Sequence, residues 1–237
     1  MSDGDRFFPA GPLSVIAIII LVGLLIIILP LFILGIIGAA FVRLGFSWIS
    51  ALAIILLMIS GSLVNIPVYR IRRDVIRISR NDSADRDATS RELCHVWDTL
   101  VSCNLGGTVI PAGISVYLLY QAVQITGPSL IYTVCIGIIM VAGITFVSTR
   151  MVPGVGIHVP LLIPGFTAVL AGIILSGGTG LTAAVTAFGS GTIGTLTGGN
   201  IANLFRVSDL EIPEVSIGGA GTFGAVFICC ILPAFLA

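Results

Sequence analysis

Five polar residues that carry no fixed charge stand inside otherwise apolar stretches of this chain: Asn65, Asn104, His158, Asn200 and Asn203. Their side chains donate and accept hydrogen bonds, so together they could hold a small polar solute. Only His158 titrates near neutrality, and it could relay a proton or serve as a ligand. The other reading is a structural histidine held by hydrogen bonds. Asn200, Asn203 and Arg206 recur at intervals of three, which puts them on nearly one face of a helix. Polar residues at membrane depth face a bundle interior or a wet cavity, or else lock helices together by separate hydrogen bonds.

Several chemistries lack their groups. The chain has no lysine, so it has no phosphate-binding loop of the Gly-Lys type. Two histidines cannot build a histidine-rich metal site, and no metal or other cofactor is expected. No pair of carboxylates lies within an apolar run, so carboxylate acid–base catalysis has no dyad. No serine has an evident base beside it. The five cysteines follow no disulfide or zinc spacing, and Cys229-Cys230 read as small packing residues. Zero net charge speaks against a nucleic-acid partner.

The surroundings of these residues are those of a membrane protein. The 237 residues are 57% hydrophobic and 9% charged, with mean hydropathy +1.15, against roughly 25% charged in soluble domains. Seven apolar runs are long enough to read as spans: 13–42, 48–64, 99–124, 129–149, 152–175, 181–205 and 215–237. The first exceeds a signal-peptide core and reads as a retained anchor, kinked or tilted at Pro30. The expected fold is therefore all-α: a polytopic integral membrane protein of about seven transmembrane helices, forming a single domain over 1–237. Pro153, Gly154, Gly156 and Pro160 forbid a regular helix through the fifth run, so broken or re-entrant segments are expected in the second half.

Charge sets the orientation. All eleven basic residues are arginine, and ten of them fall on one side of the seven-span arrangement, as do all eleven acids. Arg43 stands alone on the other side. Arginine is retained on the cytoplasmic side, which puts the N-terminus inside and the C-terminus outside, in a plasma (cell) membrane. Residues 69–98 form a cytoplasmic basic loop with seven arginines. In it Ile71, Val75 and Ile78 recur at helical spacing, which allows an interfacial helix gripping anionic membrane lipid, or simply a loop that fixes topology. Tyr69 and Trp97 mark inner boundaries, and Trp48, Tyr117, Tyr120 and Tyr132 mark outer ones. On this topology the five polar residues all lie in the inner half, most of them about 5–12 Å below the interface. That suggests a cytoplasm-facing vestibule.

Glycine is abundant, with 29 residues. Ala183, Ala187, Gly191, Thr195 and Gly199 recur every four residues along the sixth run, a small-residue face that lets another backbone approach. The partner could be a helix of the same chain, a homo-oligomer or another membrane protein. Gly154, Gly156, Gly191 and Gly199 are the candidates for shaping backbone around a ligand.

Asn65-Ile66-Pro67-Val68, Asn104-Leu105-Gly106-Gly107 with Ile110-Pro111, Val152-Pro153-Gly154-Val155-Gly156-Ile157, Gly194-Thr195-Leu196 through Asn203-Leu204, and Ser216-Ile217-Gly218-Gly219-Ala220-Gly221-Thr222-Phe223 form a set. In these motifs the chain resembles an uncharacterised archaeal and bacterial membrane family, domain of unknown function sixteen-fourteen. The resemblance implies an acid at the position of Asn200 and another at that of Gly224, a glycine-flanked arrangement similar to presenilin-type intramembrane proteases. Such a protease needs two facing carboxylates, and this chain has neither. The leading expectation is a non-enzymatic protein that binds or passes a small solute. The alternatives are a protease-like scaffold lacking its catalytic aspartates, or a structural or assembly protein.

Overall fold

The computed structural model describes residues 12–76, 93–154, 156–207 and 212–236. Helix α1 (Pro12–Arg43) holds Pro30 in its interior. Its large side chains from Ile18 to Leu29 are 48–66% exposed, and it packs against the core from Leu34 onward, through Ile37, Ala40 and Phe41, with Leu44 just beyond its end. Helix α2 (Trp48–Gly61) starts at Ser47, whose hydroxyl accepts from the Ser50 amide at 3.2 Å. The Trp48 ring lies against Gly38, folding α2 back along the last third of α1.

The stretch expected to be a basic loop is largely a β-hairpin. Strand β1 (Asn65–Ile76) pairs antiparallel with β2 (Leu93–Asn104), from Asn65 opposite Asn104 to Ile76 opposite Leu93. The short strand β5 (Glu214–Ile217) adds parallel to β2, so β2 is central. Tyr69, Ile71 and Val75 stand at even spacings among Arg70, Arg72, Arg73 and Asp74, and β-branched residues favour extended backbone, which outweighs the weaker helical spacing. Pro67 is tolerated because β1 is an edge strand with a register shift between Pro67 and Tyr69. Ile78 and the Arg80–Arg91 stretch lie outside the described residues, as does the Trp97 side chain. Twelve residues per strand make the hairpin about 40 Å long.

Helices α3 (Ile110–Thr126), α4 (Ser129–Ser148), α5 (Ile163–Ser176) and α6 (Leu181–Thr195) form the body. Between α4 and α5, β3 (Arg150–Val152) and β4 (Gly156–His158) make a second hairpin. The four-residue helix α7 (Leu204–Val207) and then α8 (Phe223–Ile231) complete the chain, closed by a 3-10 turn over Leu232–Phe235. Helix α6 is central and packs on α3, α4, α5 and α8. Its small-residue face is occupied within the chain: a methyl group at Gly191 would stand 2.8 Å from the Ala168 Cβ of α5 and 3.1 Å from the Cys229 Cβ of α8. Phe188 of α6 meets Phe41 of α1 edge-on, with ring centroids 6.4 Å apart.

Two expectations change. The fold is mainly helical but not all-α, because two small sheets occupy parts of the third, fifth and seventh apolar runs. Among the described residues, three helical stretches are long and apolar enough to cross a membrane, Ile18–Arg43, Leu105–Thr126 and Ser129–Ser148, rather than about seven. Trp48–Gly61, Ile163–Ser176 and Phe223–Phe235 are shorter apolar helices. The runs are long enough by composition, but strands and turns consume their ends. Residues 99–104 belong to β2, and 215–217 belong to β5.

Candidate functional site

The helices break where the two sheets meet them. Asn104 ends β2, and the chain widens into a π-turn, Leu105–Val109, before α3. Helix α6 ends likewise in a π-turn, Leu196–Asn200, followed by a 3-10 turn, Ile201–Asn203. Both π-turns carry adjacent glycines, and each has an asparagine at one end. Such local widenings leave carbonyls out of the ordinary helical ladder and recur at functional sites. The β3–β4 hairpin and the 218–222 loop pack between them. The Val159 amide donates to Gly221 O at 2.9 Å, and a methyl group at Gly199 would lie 2.7 Å from Val159.

Asn104 is 1% exposed and caps the first break. Its Oδ1 accepts from the Gly107 amide at 2.8 Å, while Nδ2 donates to Ser62 O at 2.6 Å and to Asn65 Oδ1 at 3.0 Å. Asn65, exposed on β1, also accepts from the Ser216 hydroxyl at 2.7 Å. This group ties β1, β2 and β5 to the end of α2. Asn203 is buried in the second break: Nδ2 donates to Gly198 O at 2.8 Å and Gly199 O at 3.0 Å, and Oδ1 accepts from Arg206 Nη1 at 3.1 Å. The Arg206 guanidinium lies 5.0 Å over the Phe146 ring.

Asn200 differs from these. It is fully buried, and Nδ2 donates to Thr222 Oγ1 at 3.1 Å, but Oδ1 has no hydrogen-bond partner. Turning the amide over exchanges the two atoms and still leaves one unpaired. A buried acceptor left bare costs about 1–3 kcal/mol. Thr145 on α4 has the same defect. It is fully buried and its hydroxyl is unpaired, with its methyl beside Gly199, the neighbour of Asn200.

Four of the five expected residues thus lie at the two breaks: Asn65 and Asn104 hydrogen-bond each other at the first, and Asn200 and Asn203 stand at the second with separate partners. The 218–222 loop joins them, because Ser216 before it bonds Asn65 and Thr222 at its end bonds Asn200. His158 belongs to neither. It is exposed on β4, opposite Arg150, rather than set within a span. The physical reason is the turn before it: Gly154 and Gly156 have φ of +80° and +92°, which reverse the chain into a hairpin instead of carrying it inward. Gly154 lines no site and has open space around it, whereas Gly191 and Gly199 are packed tightly. Thr145 and Thr222 supply the second bare oxygen and the bond that matters most at the second break. Thr222 stands in the glycine-rich motif at the start of the seventh run, whereas Thr145, a lone threonine in an apolar run, gives no sequence signal of that kind.

Chemically the arrangement offers neutral oxygens and amide hydrogens. Among the described residues no three His, Cys, Asp or Glu side chains converge as a metal site. Desolvation pushes the Cys103 thiol, beside Asn104, above its ordinary value, so it stays protonated and weakly nucleophilic at neutral pH.

Neither a curated protein nor a solved structure matches the chain, and the likeness to intramembrane proteases finds no support. A family described as protein of unknown function (DUF1614) matches residues 59–236, from the end of α2 through the last turn, and so covers both helix breaks and the loop between them. The chain belongs to that family.

Proposed function

We propose that this chain is a multi-pass membrane protein that binds a small polar solute, without chemical turnover, at the second helix break, around Asn200. The observation that carries the reading is the buried, unpaired Asn200 Oδ1 beside a π-turn. Broken helices are tolerated at depth where their freed backbone groups line a site, and transporters use such breaks to hold solutes and ions. The unpaired Thr145 hydroxyl on the neighbouring helix adds a second ready donor and acceptor. The apolar surfaces of α1, α3 and α4 favour hydrocarbon surroundings, and the arginine-rich hairpin favours a cytoplasmic position for the sheet end. The N-terminus is then inside and the C-terminus outside.

The test is accessibility. In protein freed of its native cysteines, Asn200→Cys should react with a charged methanethiosulfonate added from the arginine-rich side of sealed vesicles. It should react about ten-fold or more slowly than the exposed control Ala220→Cys, because reaching a fully buried site requires local opening. Reagent on the opposite side should leave it untouched. Resistance from both sides, with Ala220→Cys modified, would sink the reading.

A further inference from the structure

At the end of the bundle opposite the sheet, α1, α3 and α6 line a half-open cavity of about 490 Å³, inside the range of roughly 300–1,000 Å³ typical of ligand sites. Leu118, Ala122 and Val185 make its apolar wall. Its polar groups are Arg43 at the last turn of α1 and the pair Tyr117 and Gln121 on α3, where Gln121 Nε2 donates to the Tyr117 hydroxyl at 3.0 Å. That bond leaves the phenolic proton free to be offered elsewhere. Arg43 also lines a second cavity of about 180 Å³ on the far side of α1, bordered by Ile36, Ala39, Ala234 and Phe235. Arg43 therefore borders both a pocket with polar groups and an almost wholly apolar groove.

Charge selects the occupant. No Asp or Glu occurs in the sequence from 12 to 73 or from 99 to 208, so no acidic side chain of α1 to α6 can neutralise Arg43. The exposed rings of Tyr117, Tyr120 and Tyr132 surround this end, as amphipathic rings do at a headgroup boundary.

We infer that this cavity is a binding site for one acidic phospholipid of the leaflet at that end, with its phosphate on Arg43 and the Tyr117 hydroxyl and an acyl chain along the Ile36–Phe235 groove. Guanidinium and phosphate pair through two parallel N–H···O bonds, which an ammonium cannot reproduce. The inference shares the membrane setting of the reading above but does not involve Asn200. Arg43→Gln leaves the sheet end untouched, so the two can fail separately.

Full-length protein, delipidated in detergent, is titrated with phosphatidylglycerol or phosphatidylcholine, and bound lipids are counted by native mass spectrometry. The wild type should hold one phosphatidylglycerol more tightly than Arg43→Gln by roughly ten-fold, with Arg43→Lys between them. The basic hairpin is present in every variant, so only the difference is read. Arg43 is exposed, and the substitution should leave the fold intact. Equal affinity of wild type and Arg43→Gln, or equal affinity for the two lipids, overturns the inference. Displacement of the lipid by millimolar inorganic phosphate overturns its lipid source.

Discussion

Asn104→Leu should unfold the junction between the sheet and the helices. Leucine is of similar size but makes none of the three hydrogen bonds, so it strands the buried Gly107 amide and leaves the half-buried Ser62 carbonyl without its partner. Each buried backbone group left bare costs about 1–3 kcal/mol, and the summed loss is expected at about 3–5 kcal/mol. Asn65 loses less, since it is exposed and water can replace its partner. The measurement is thermal unfolding in detergent by tryptophan fluorescence. Asn104→Asp sharpens the test. An ionised carboxylate still accepts from the Gly107 amide, but it sets oxygen against Ser62 O and Asn65 Oδ1. Protonation restores one donor, so the folded state raises the pKa of the new acid, and stability should return as pH falls through that value. An Asn104→Asp variant as stable as wild type at neutral pH would show that these bonds do not hold the junction.

Gly106→Ala should be worse. The α2–α3 crossing is made of backbone against backbone: a methyl group at Gly106 would overlap Met58 O and the Ser62 amide and come within 2.8 Å of the Gly61 carbonyl carbon. Backbone cannot swing aside as a flexible side chain can, and overpacking of this kind costs about 3 kcal/mol or more. The expected result is loss of the monodisperse peak in size-exclusion chromatography. Gly113→Ala, two turns further along and exposed with nothing within 4 Å, is the control. Alanine there should leave the peak unchanged and stabilise α3 by up to about 1 kcal/mol, from helix propensity alone. Equal behaviour of the two variants would mean that α2 and α3 do not cross at Gly106.

The apolar runs are readable in the sequence because long uncharged stretches stand out by composition alone, and α1 and α4 emerge from them with nearly the expected ends, whereas α3 starts eleven residues later than its run, after β2 and the π-turn. The strands are not readable. Ile71 and Val75 fit a spacing of four as well as one of two, and Thr99 to Cys103 continue without a break into the apolar residues of α3. What decides between the periods is pairing with residues remote in sequence, as in Asn65 opposite Asn104, and a single segment carries no trace of its partner. The asparagines announce themselves by being polar in an apolar context. Which of them is satisfied stays hidden: Asn104 makes three bonds through its strand register, and Asn200 keeps a bare oxygen because Thr222 supplies a single oxygen for its amide. His158 is misplaced by its sequence for a local reason, since its run reads as a helix broken by proline whereas paired glycines turn it into a hairpin.

The parallel strand has a consequence for how the molecule is made. The Thr99 hydroxyl bonds Ile212 O at 2.8 Å, across 113 positions, and the Leu100 amide bonds Pro213 O at 2.9 Å. While the ribosome is still synthesising the intervening helices, β2 waits with one flank bare, and the groups that Pro213 and Ile212 will satisfy are held by water. The first sheet is therefore among the last parts to close. A chain stalled before β5 leaves an open strand edge for quality-control proteases and chaperones to recognise.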